Sequence, residues 1–345
     1  MIVSGIYIEL LSNCNLRCLH CYNNSGETVK MLDMPSLERI AKYVSKNNVN
    51  GISISGGEPL LYSNIIDIIN LFFESGVSNI SIITNATLVS EKLMEEFKQK
   101  NLLNKISFQV SVDGATPEQH GHVRGNGAFL KLERGLDILK KYNARYFFHC
   151  VLHKANHMFV DEIIDFANRI HKTRVDFALL KKKGRGVENF QDISLNPQEQ
   201  IDVILKLKQK TDTANFNSPS VFYGSCPIFS DENAETFIRI DYDGNVYPCQ
   251  NFSYPGSALG NIKQEDLDVI VADQRVKLVS DRIKEFREKY SNCSTCALSS
   301  YCKLGCPGVD YCEEFKNEMS DDCILRRAFF KKMLIESKVA NYVKT

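Results

Sequence analysis

The stretch "CNLRCLHC", Cys14 to Cys21, puts three cysteines into one short segment directly after an apolar run. A structural zinc site takes four protein ligands, and a disulfide takes two cysteines. Three thiolates suit a metal centre that keeps one coordination position for something else. A second apolar run ends in "GGEP", Gly56 to Pro59. Two glycines let a backbone approach a ligand closely, and Glu58 can accept from an ammonium group. Polar residues close later runs in the same way: Asn85 in "TNAT", Ser111 and Asp113 in "SVDG", and beyond them Arg124 in "HVRGNGAF".

The cysteines are unevenly spread. Of twelve, three lie at 14–21, one stands alone at Cys150, and eight fall between Cys226 and Cys323. In a reducing compartment such cysteines bind metal or do chemistry rather than form disulfides. Two metal-bearing regions flanking a cysteine-poor middle are expected.

The bulk numbers remove other classes. Lys plus Arg equals Asp plus Glu at 42 each, which gives no electrostatic case for nucleic acid or an anionic membrane. "MIVSGIYIELLS" is short, carries Glu9 and lacks a basic leader, so it reads as a first strand and not a signal peptide. No run approaches the roughly 18 apolar residues of a membrane span. The expectation is a soluble cytoplasmic protein with no nucleic-acid or membrane partner.

The elements that must position these residues alternate. Strand-like runs occupy 6–12, 51–57, 79–85, 105–114, 145–153 and 174–180. Helical patterns lie between them, one with Leu37, Ile40, Ala41 and Val44 after Pro35, another with Ile65, Ile66, Ile69, Phe72 and Phe73 stopped by Gly76. Repeated βα units predict an α/β fold with a parallel sheet. Ile106, Phe108, Val110 and Val112 share one face of their strand, and Ser107, Gln109, Ser111 and Asp113 share the other. Ser53 and Ser55 alternate with Ile52 and Ile54, and His149 and His153 with Cys150 and Leu152. Six units with one polar face predict a partial (β/α)6 barrel whose concave side is lined for a large polar ligand. The alternative is a sheet with one solvated face.

After residue 186 the pattern changes. "NPQEQIDVILKLKQK" predicts a helix with Asn196 as N-cap, Pro197 in the first turn and Glu199 completing a capping box. "FIRIDYDGNVYPC" predicts a hairpin turning at Asp243-Gly244-Asn245, and a closing helix is expected at roughly 324–341. The cysteine-rich stretch between them is expected to fold around metal.

The three-cysteine motif after strand one, with GGEP after strand two, resembles the radical S-adenosylmethionine (SAM) superfamily. In that family three cysteines hold a 4Fe-4S cluster whose fourth iron chelates SAM. Reductive cleavage then yields a 5′-deoxyadenosyl radical that takes a hydrogen atom from substrate. The resemblance implies that Cys14, Cys18 and Cys21 are the cluster ligands and that Gly56, Gly57, Glu58 and Pro59 hold the methionyl amine. It also implies that Ser111 and Asp113 lie near the ribose, that Asn85 approaches the cofactor, and that Arg124 reaches towards its carboxylate. His20 takes a place often held by an aromatic beside the adenine, where an imidazole can stack.

Cys226, "DGNVYPC" ending at Cys249, Cys293-x2-Cys296-x5-Cys302-x3-Cys306 and Cys323 resemble the SPASM extension, which holds two auxiliary clusters. The resemblance implies one cluster on Cys293, Cys296, Cys302 and Cys323 and another on Cys226, Cys249 and Cys306. The second again has three ligands; Glu232, Cys312 or an open iron would complete it. An open iron would suit a substrate thiolate. Zinc is the alternative occupant of the CxxC pairs. The expected division is a radical SAM partial barrel over 1–185, a bridging helical segment over 186–225, a SPASM domain over 226–325 and a C-terminal helix over 326–345.

Within the family, sulfatase maturases place an Asp directly after the cysteine of "YPC"; here Gln250 stands there, and a neutral amide cannot act as a base. The expected activity is therefore formation of a thioether or C–C crosslink in a ribosomally made precursor peptide. The alternatives are a radical enzyme of quinone, tetrapyrrole or other small-molecule biosynthesis, or sulfatase-maturase-like oxidation. A non-catalytic electron carrier or zinc-organised binding module is the reading from another class. The implied electron donor is of flavodoxin or ferredoxin type. Because the first strand begins near residue 6, no room is left before it for a small peptide-binding domain, and a leader peptide would bind elsewhere or through a separate protein. "KKKGR", Lys181 to Arg185, is expected to meet an acidic leader, the cofactor carboxylate or solvent. His120, His122 and Cys150 are expected to serve as loop and strand packing, without a role in chemistry.

Overall fold

The computed structural model describes residues 2–210, 214–216, 235–252, 256–272, 274–278, 281, 295–296, 323–325, 327–328 and 330–331. Cys226, Cys293, Cys302, Cys306 and Cys312 lie outside the described residues, as do Glu232 and most of the expected closing helix.

Six strands, β1 (Ile2–Glu9), β2 (Gly51–Ser55), β3 (Asn79–Thr84), β4 (Ile106–Ser111), β5 (Tyr146–Leu152) and β6 (Val175–Leu179), pair in parallel, each with the next. Helices α1 (Met34–Lys46), α2 (Ile65–Glu74), α3 (Glu91–Gln99), α4 (Pro117–Arg124), α5 (Ala128–Lys141) and α6 (Val160–Asp165) form the crossovers. Local signals start these helices where the ladder needs them. Asp33 accepts from Ser36 N ahead of α1, Ser90 caps α3 and Thr116 caps α4. In α2 the buried set is Ile65, Ile68, Ile69 and Phe72; Ile66 and Phe73 pack only partly against the core.

The alternation read from β4 holds. Ile106, Phe108, Val110 and Val112 are fully buried, while Ser107, Gln109 and Ser111 are half-buried on the opposite face. In β5, Phe148, Cys150 and Leu152 are buried and His149 is half-buried. The architecture is the expected α/β partial barrel, its apolar face under the helices and its polar face on the concave side.

The sheet does not stop at six strands. Its order is β10-β9-β8-β1-β2-β3-β4-β5-β6-β7, with β7 (Ala214–Phe216), β8 (Glu235–Ile240), β9 (Asn245–Tyr247) and β10 (Gly260–Asn261). β8 lies parallel to β1 from Ile2↔Glu235 to Ile8↔Ile240, so the C-terminal hairpin continues the sheet of the N-terminal half. This pairing explains why β1 runs over Ile2–Glu9 and not over 6–12. The hairpin turns at Asp241–Gly244, where Asp241 Oδ1 accepts from Asp243 N (3.0 Å) and Asn245 N (2.9 Å).

A buried ion pair closes the β1–β8 seam. Arg239 Nε and Nη2 donate to the two oxygens of Glu9 at 2.9 and 2.8 Å, and Nη1 donates to Phe252 O at 2.9 Å. Tyr22 OH donates to Glu9 Oε1 at 2.8 Å, and Tyr7 OH to Ser55 Oγ at 2.8 Å. Two desolvated charges are tolerated here because the fork is bidentate and the remaining polar atoms find partners. Short helices α7 (Arg185–Glu188) and α8 (Phe190–Ile193) lead to α9 (Pro197–Lys208), which has the expected capping box of Asn196 and Glu199. Leu325 packs on Ile201 and Ile204 of α9. No helix among the described residues is long and apolar enough to cross a membrane.

Candidate cluster and cofactor site

The candidate cofactor and cluster residues of the N-terminal half lie at or beyond the C-terminal ends of strands, the end at which parallel α/β sheets gather ligands. After β1 the chain makes a closed lobe. Its neck is held by Ser12 N to Lys30 O (2.9 Å), Gly26 N to Ser12 O (3.1 Å) and Cys14 N to Gly26 O (3.0 Å). Cys14 and Cys21 are half-buried and Cys18 is buried, none in a disulfide. Burial pushes the Cys14 thiol up to about 11 and raises Cys18 as well, against the pull of Arg124. These thiols therefore ionise when a metal takes the proton's place.

The glycines of GGEP have a use that the sequence did not disclose. A Cβ on Gly57 would stand 1.9 Å from Asn13 O, and Gly57 N and Glu58 N donate to Leu11 O (2.6 Å) and Asn13 O (2.9 Å). The close approach is thus backbone against backbone: the end of β2 is fastened to the root of the cysteine lobe. Pro59 opens a single 3-10 turn capped by Glu58.

Glu58 is buried beneath this junction. It accepts from Thr84 Oγ1 (2.6 Å), Asn85 N (2.8 Å) and Leu60 N (3.2 Å). A carboxylate has about four acceptor sites, so capacity for one more donor remains. Burial raises its pKa to about 7, although all three hydrogen bonds oppose the rise. Asn85 donates to Asn15 Oδ1 (2.9 Å) and lies 4.0 Å from Cys14 Sγ.

Asp113 and Arg124 come together, and they meet each other. Arg124 Nε donates to Asp113 Oδ2 at 2.6 Å, His20 Nε2 lies 3.1 Å from the same oxygen, and Val151 N donates to Oδ1 at 2.9 Å. Burial would raise the Asp113 pKa, but Arg124 and then His20 outweigh it and hold the carboxyl well below its usual range. Arg124 Nη1 also lies 3.8 Å from Cys18 Sγ, so the cation faces a prospective thiolate. Ser111 stands half-buried on the concave face of β4.

His120 is neither exposed nor in a loop: it is buried in α4, and its Nδ1 accepts from Asp113 N at 3.2 Å. Burial lowers its pKa to about 3 and those of His149 and His153 to about 4, so all three are uncharged at neutral pH. Among the described residues Nδ1 of His20 and Nε2 of His153 are both buried and find no hydrogen-bond partner, and the two rings lie 6.3 Å apart. Buried polar atoms left unpaired inside a structure are commonly completed by a ligand or water.

A 4Fe-4S cluster with SAM on its fourth iron fits these residues. The donors are soft thiols from one lobe, with an unpaired polar pair and a raised carboxyl beside them. Among the described residues no three His, Cys, Asp or Glu side chains gather around a single metal ion, whereas a cube gives each thiolate an iron of its own. In the C-terminal half Cys249, Cys296 and Cys323 are each half-buried, and Cys226, Cys293, Cys302 and Cys306 fall outside the described residues.

Two residues of this region were given no cofactor role by sequence reasoning: His153 and Asn156. Asn156 is fully buried and donates to Val151 O (2.9 Å) and Asp113 O (3.2 Å), bracing the ends of β4 and β5. Its signal was an Asn three residues after His153 at a strand end, a spacing that favours a local turn.

A parallel sheet carrying three thiols on the lobe after its first strand defines a protein built to hold an iron–sulfur cluster open to a ligand. The chain belongs to the radical SAM superfamily, whose model matches residues 8–167, and it carries a SPASM iron-sulfur cluster-binding domain matched over residues 232–297. It is 26% identical over 368 residues to the cysteine-type anaerobic sulfatase-maturating enzyme of Clostridium novyi, covering 97% of this chain and 95% of that protein. It is 25% identical over 317 residues to the mycofactocin maturase MftC of Mycolicibacterium smegmatis, covering 88% and 78%. The solved structure of native anSMEcpe with bound AdoMet and Cp18Cys peptide has the same fold, with a TM-score of 0.70 at 21% identity over 98% of this chain and 99% of that one. The chain is thus a radical SAM/SPASM enzyme that binds SAM and iron–sulfur clusters.

Proposed function

We propose that this enzyme modifies a ribosomally made precursor peptide, forming an intramolecular thioether or C–C crosslink with net loss of two hydrogens. When bound, SAM and the reduced cluster at Cys14, Cys18 and Cys21 supply a 5′-deoxyadenosyl radical able to take a hydrogen atom from the peptide. The chain's own residues prepare the place. Glu58 has room for one more donor and, as the carboxylate, pairs with the methionyl ammonium. Gly56 and Gly57 lock the lobe to β2, and Pro59 sets the turn that aims Glu58. Asp113 keeps Arg124 at the rim of the lobe, where the guanidinium serves the cofactor carboxylate, and Ser111 and Asn85 flank the ribose and the thiols. His20 closes the adenine side from within the lobe.

The observation that supports a peptide substrate is coverage. Nearly the whole chain aligns with a protein solved with a peptide bound and with two maturases. Three clusters are proposed, two of them in the C-terminal half on Cys293, Cys296, Cys302 and Cys323 and on Cys226, Cys249 and Cys306. The second reading is oxidation of a sulfatase cysteine, favoured by the 97% and 95% coverage of the C. novyi relative. Gln250, directly after Cys249, speaks against it, because an amide cannot take a proton. The proposed setting is the cytoplasm, with a flavodoxin- or ferredoxin-type donor and a separate protein carrying the leader peptide.

The test is anaerobic reconstitution with SAM, reductant and short peptides encoded beside the gene, followed by mass analysis. A peptide product two hydrogens lighter, with one 5′-deoxyadenosine per event, is expected. The triple change Cys14→Ala, Cys18→Ala and Cys21→Ala should abolish 5′-deoxyadenosine and lower iron from about twelve to about eight per chain. Cleavage of SAM that persists in that variant would overturn the site; conversion of only a sulfatase-derived peptide would select the second reading.

A further inference from the structure

The segment "KKKGR" follows β6, and the structure turns its last two residues onto the cysteine lobe. Arg185 N donates to Cys21 O at 3.0 Å. Its guanidinium donates through Nε to Cys18 O (3.0 Å) and through Nη1 to Ser25 O (2.6 Å) and Asn24 Oδ1 (3.1 Å). One helical turn later, Asn189 Nδ2 donates to Leu19 O at 3.2 Å. Four carbonyls of the lobe are therefore held from a single segment. Gly184 makes the approach possible: its φ is +55°, and a Cβ there would stand 2.4 Å from Cys21 O and 2.6 Å from Tyr22 O.

The charge is as informative as the geometry. Each acceptor of Arg185 is a neutral oxygen. Among the described residues the positive charge is thus spent on no carboxylate, and it stands against the backbone of Cys18 and Cys21 on the lobe that carries the three thiols. A cation held against thiolates stabilises whichever state of their bound group is the more negative, which for an iron–sulfur cluster is the reduced one.

We infer that Gly184, Arg185 and Asn189 form a clamp that positions the radical-cluster lobe, and that Arg185 biases the cluster held there towards its reduced state. These are positioning residues, and the inference rests on the proposed cluster at Cys14, Cys18 and Cys21. The clamp gives β6 a part in the site: a lobe that grows from the first strand is fixed by the loop after the sixth, so the two sides of the barrel mouth set the thiols together.

The experiment compares Arg185→Gln, Arg185→Lys and Gly184→Ala with wild type in the full, anaerobically reconstituted chain. The readouts are the midpoint potential of the N-terminal cluster, from an electron-paramagnetic-resonance titration, and amide hydrogen exchange of the peptide spanning 18–25. The triple cysteine variant supplies the C-terminal spectrum for subtraction. Arg185→Gln should lower the potential of the N-terminal cluster alone and speed exchange in 18–25 at least tenfold. Arg185→Lys keeps the charge and loses the fork, so exchange should rise with a smaller change in potential. Gly184→Ala should raise exchange with Arg185 still present, and it decides the matter should Arg185→Gln fail to fold. An unchanged potential and unchanged exchange in Arg185→Gln would overturn the clamp. A wild-type chain holding no cluster at the three cysteines would instead overturn the reading beneath it.

Discussion

If Glu58 pairs with the methionyl ammonium as proposed, SAM binding should depend on pH, and Glu58→Gln isolates the effect. In the folded chain its pKa rises from 4.5 to about 7 because burial disfavours the charge. The folded state then holds the proton more tightly than the unfolded state does, so ionisation of Glu58 works against folding. Its cost is absent below about pH 4.5 and grows as the pH rises through 7, to about 3 kcal/mol for a shift of this size. No discount for screening applies, since the side chain is fully buried. A ligand ammonium that pairs with the carboxylate recovers that cost. Below pH 7 it must first displace the proton, so wild-type affinity for SAM should fall about tenfold per pH unit. Glu58→Gln should bind SAM about ten- to a hundredfold more weakly at pH 8, the worth of a charged hydrogen bond, with a nearly flat profile. It should also gain up to about 3 kcal/mol over wild type between pH 5 and 8.5 without SAM. Anaerobic titration calorimetry on the reconstituted chain from pH 5.5 to 8.5, with urea unfolding at the same pH values, measures both. Wild-type affinity that stays level from pH 6 to 8, or a variant that follows the same slope, would refute the argument.

Three further outcomes are expected. Glu9→Gln leaves Arg239 buried without its partner and should cost about 3–5 kcal/mol in urea unfolding, whereas Glu9→Leu with Arg239→Met should cost clearly less. Gly57→Ala drives a Cβ to within 1.9 Å of Asn13 O, so iron analysis should show the N-terminal cluster lost and the C-terminal iron kept. Asn196→Ala removes the capping box of α9 and should lower stability by about 1 kcal/mol in the same unfolding assay, without affecting SAM cleavage.

Much of this was legible in order along the chain. Period-two alternation and helix caps are local, and β2 to β6 lie within three residues of the runs that predicted them. The site was legible to the extent that its residues close strands, because a parallel sheet brings all strand ends to one rim. What was not legible had one cause: partners distant in sequence. The glycines of GGEP, besides the ligand role expected of them, pack on Leu11–Asn13. His120 read as loop, and it proves to be the buried acceptor for Asp113 N. KKKGR read as a segment for an acidic leader, the cofactor carboxylate or solvent, and its last two residues also pack on the cysteine lobe.

By itself, then, the amino-acid order determined the number and spacing of the cysteines, the parallel α/β units and the rim on which Glu58, Asn85, Asp113 and Arg124 gather, because each depends on spacing within one element. Only the tertiary structure decided who meets whom: Arg124 with Asp113, Arg239 with Glu9 across β1 and β8, and Arg185 with Cys18 across the barrel mouth. Those contacts join residues 11, 230 and 167 positions apart. A hydrogen bond or an ion pair depends on distance in space, and chain order alone carries no record of it at such separations.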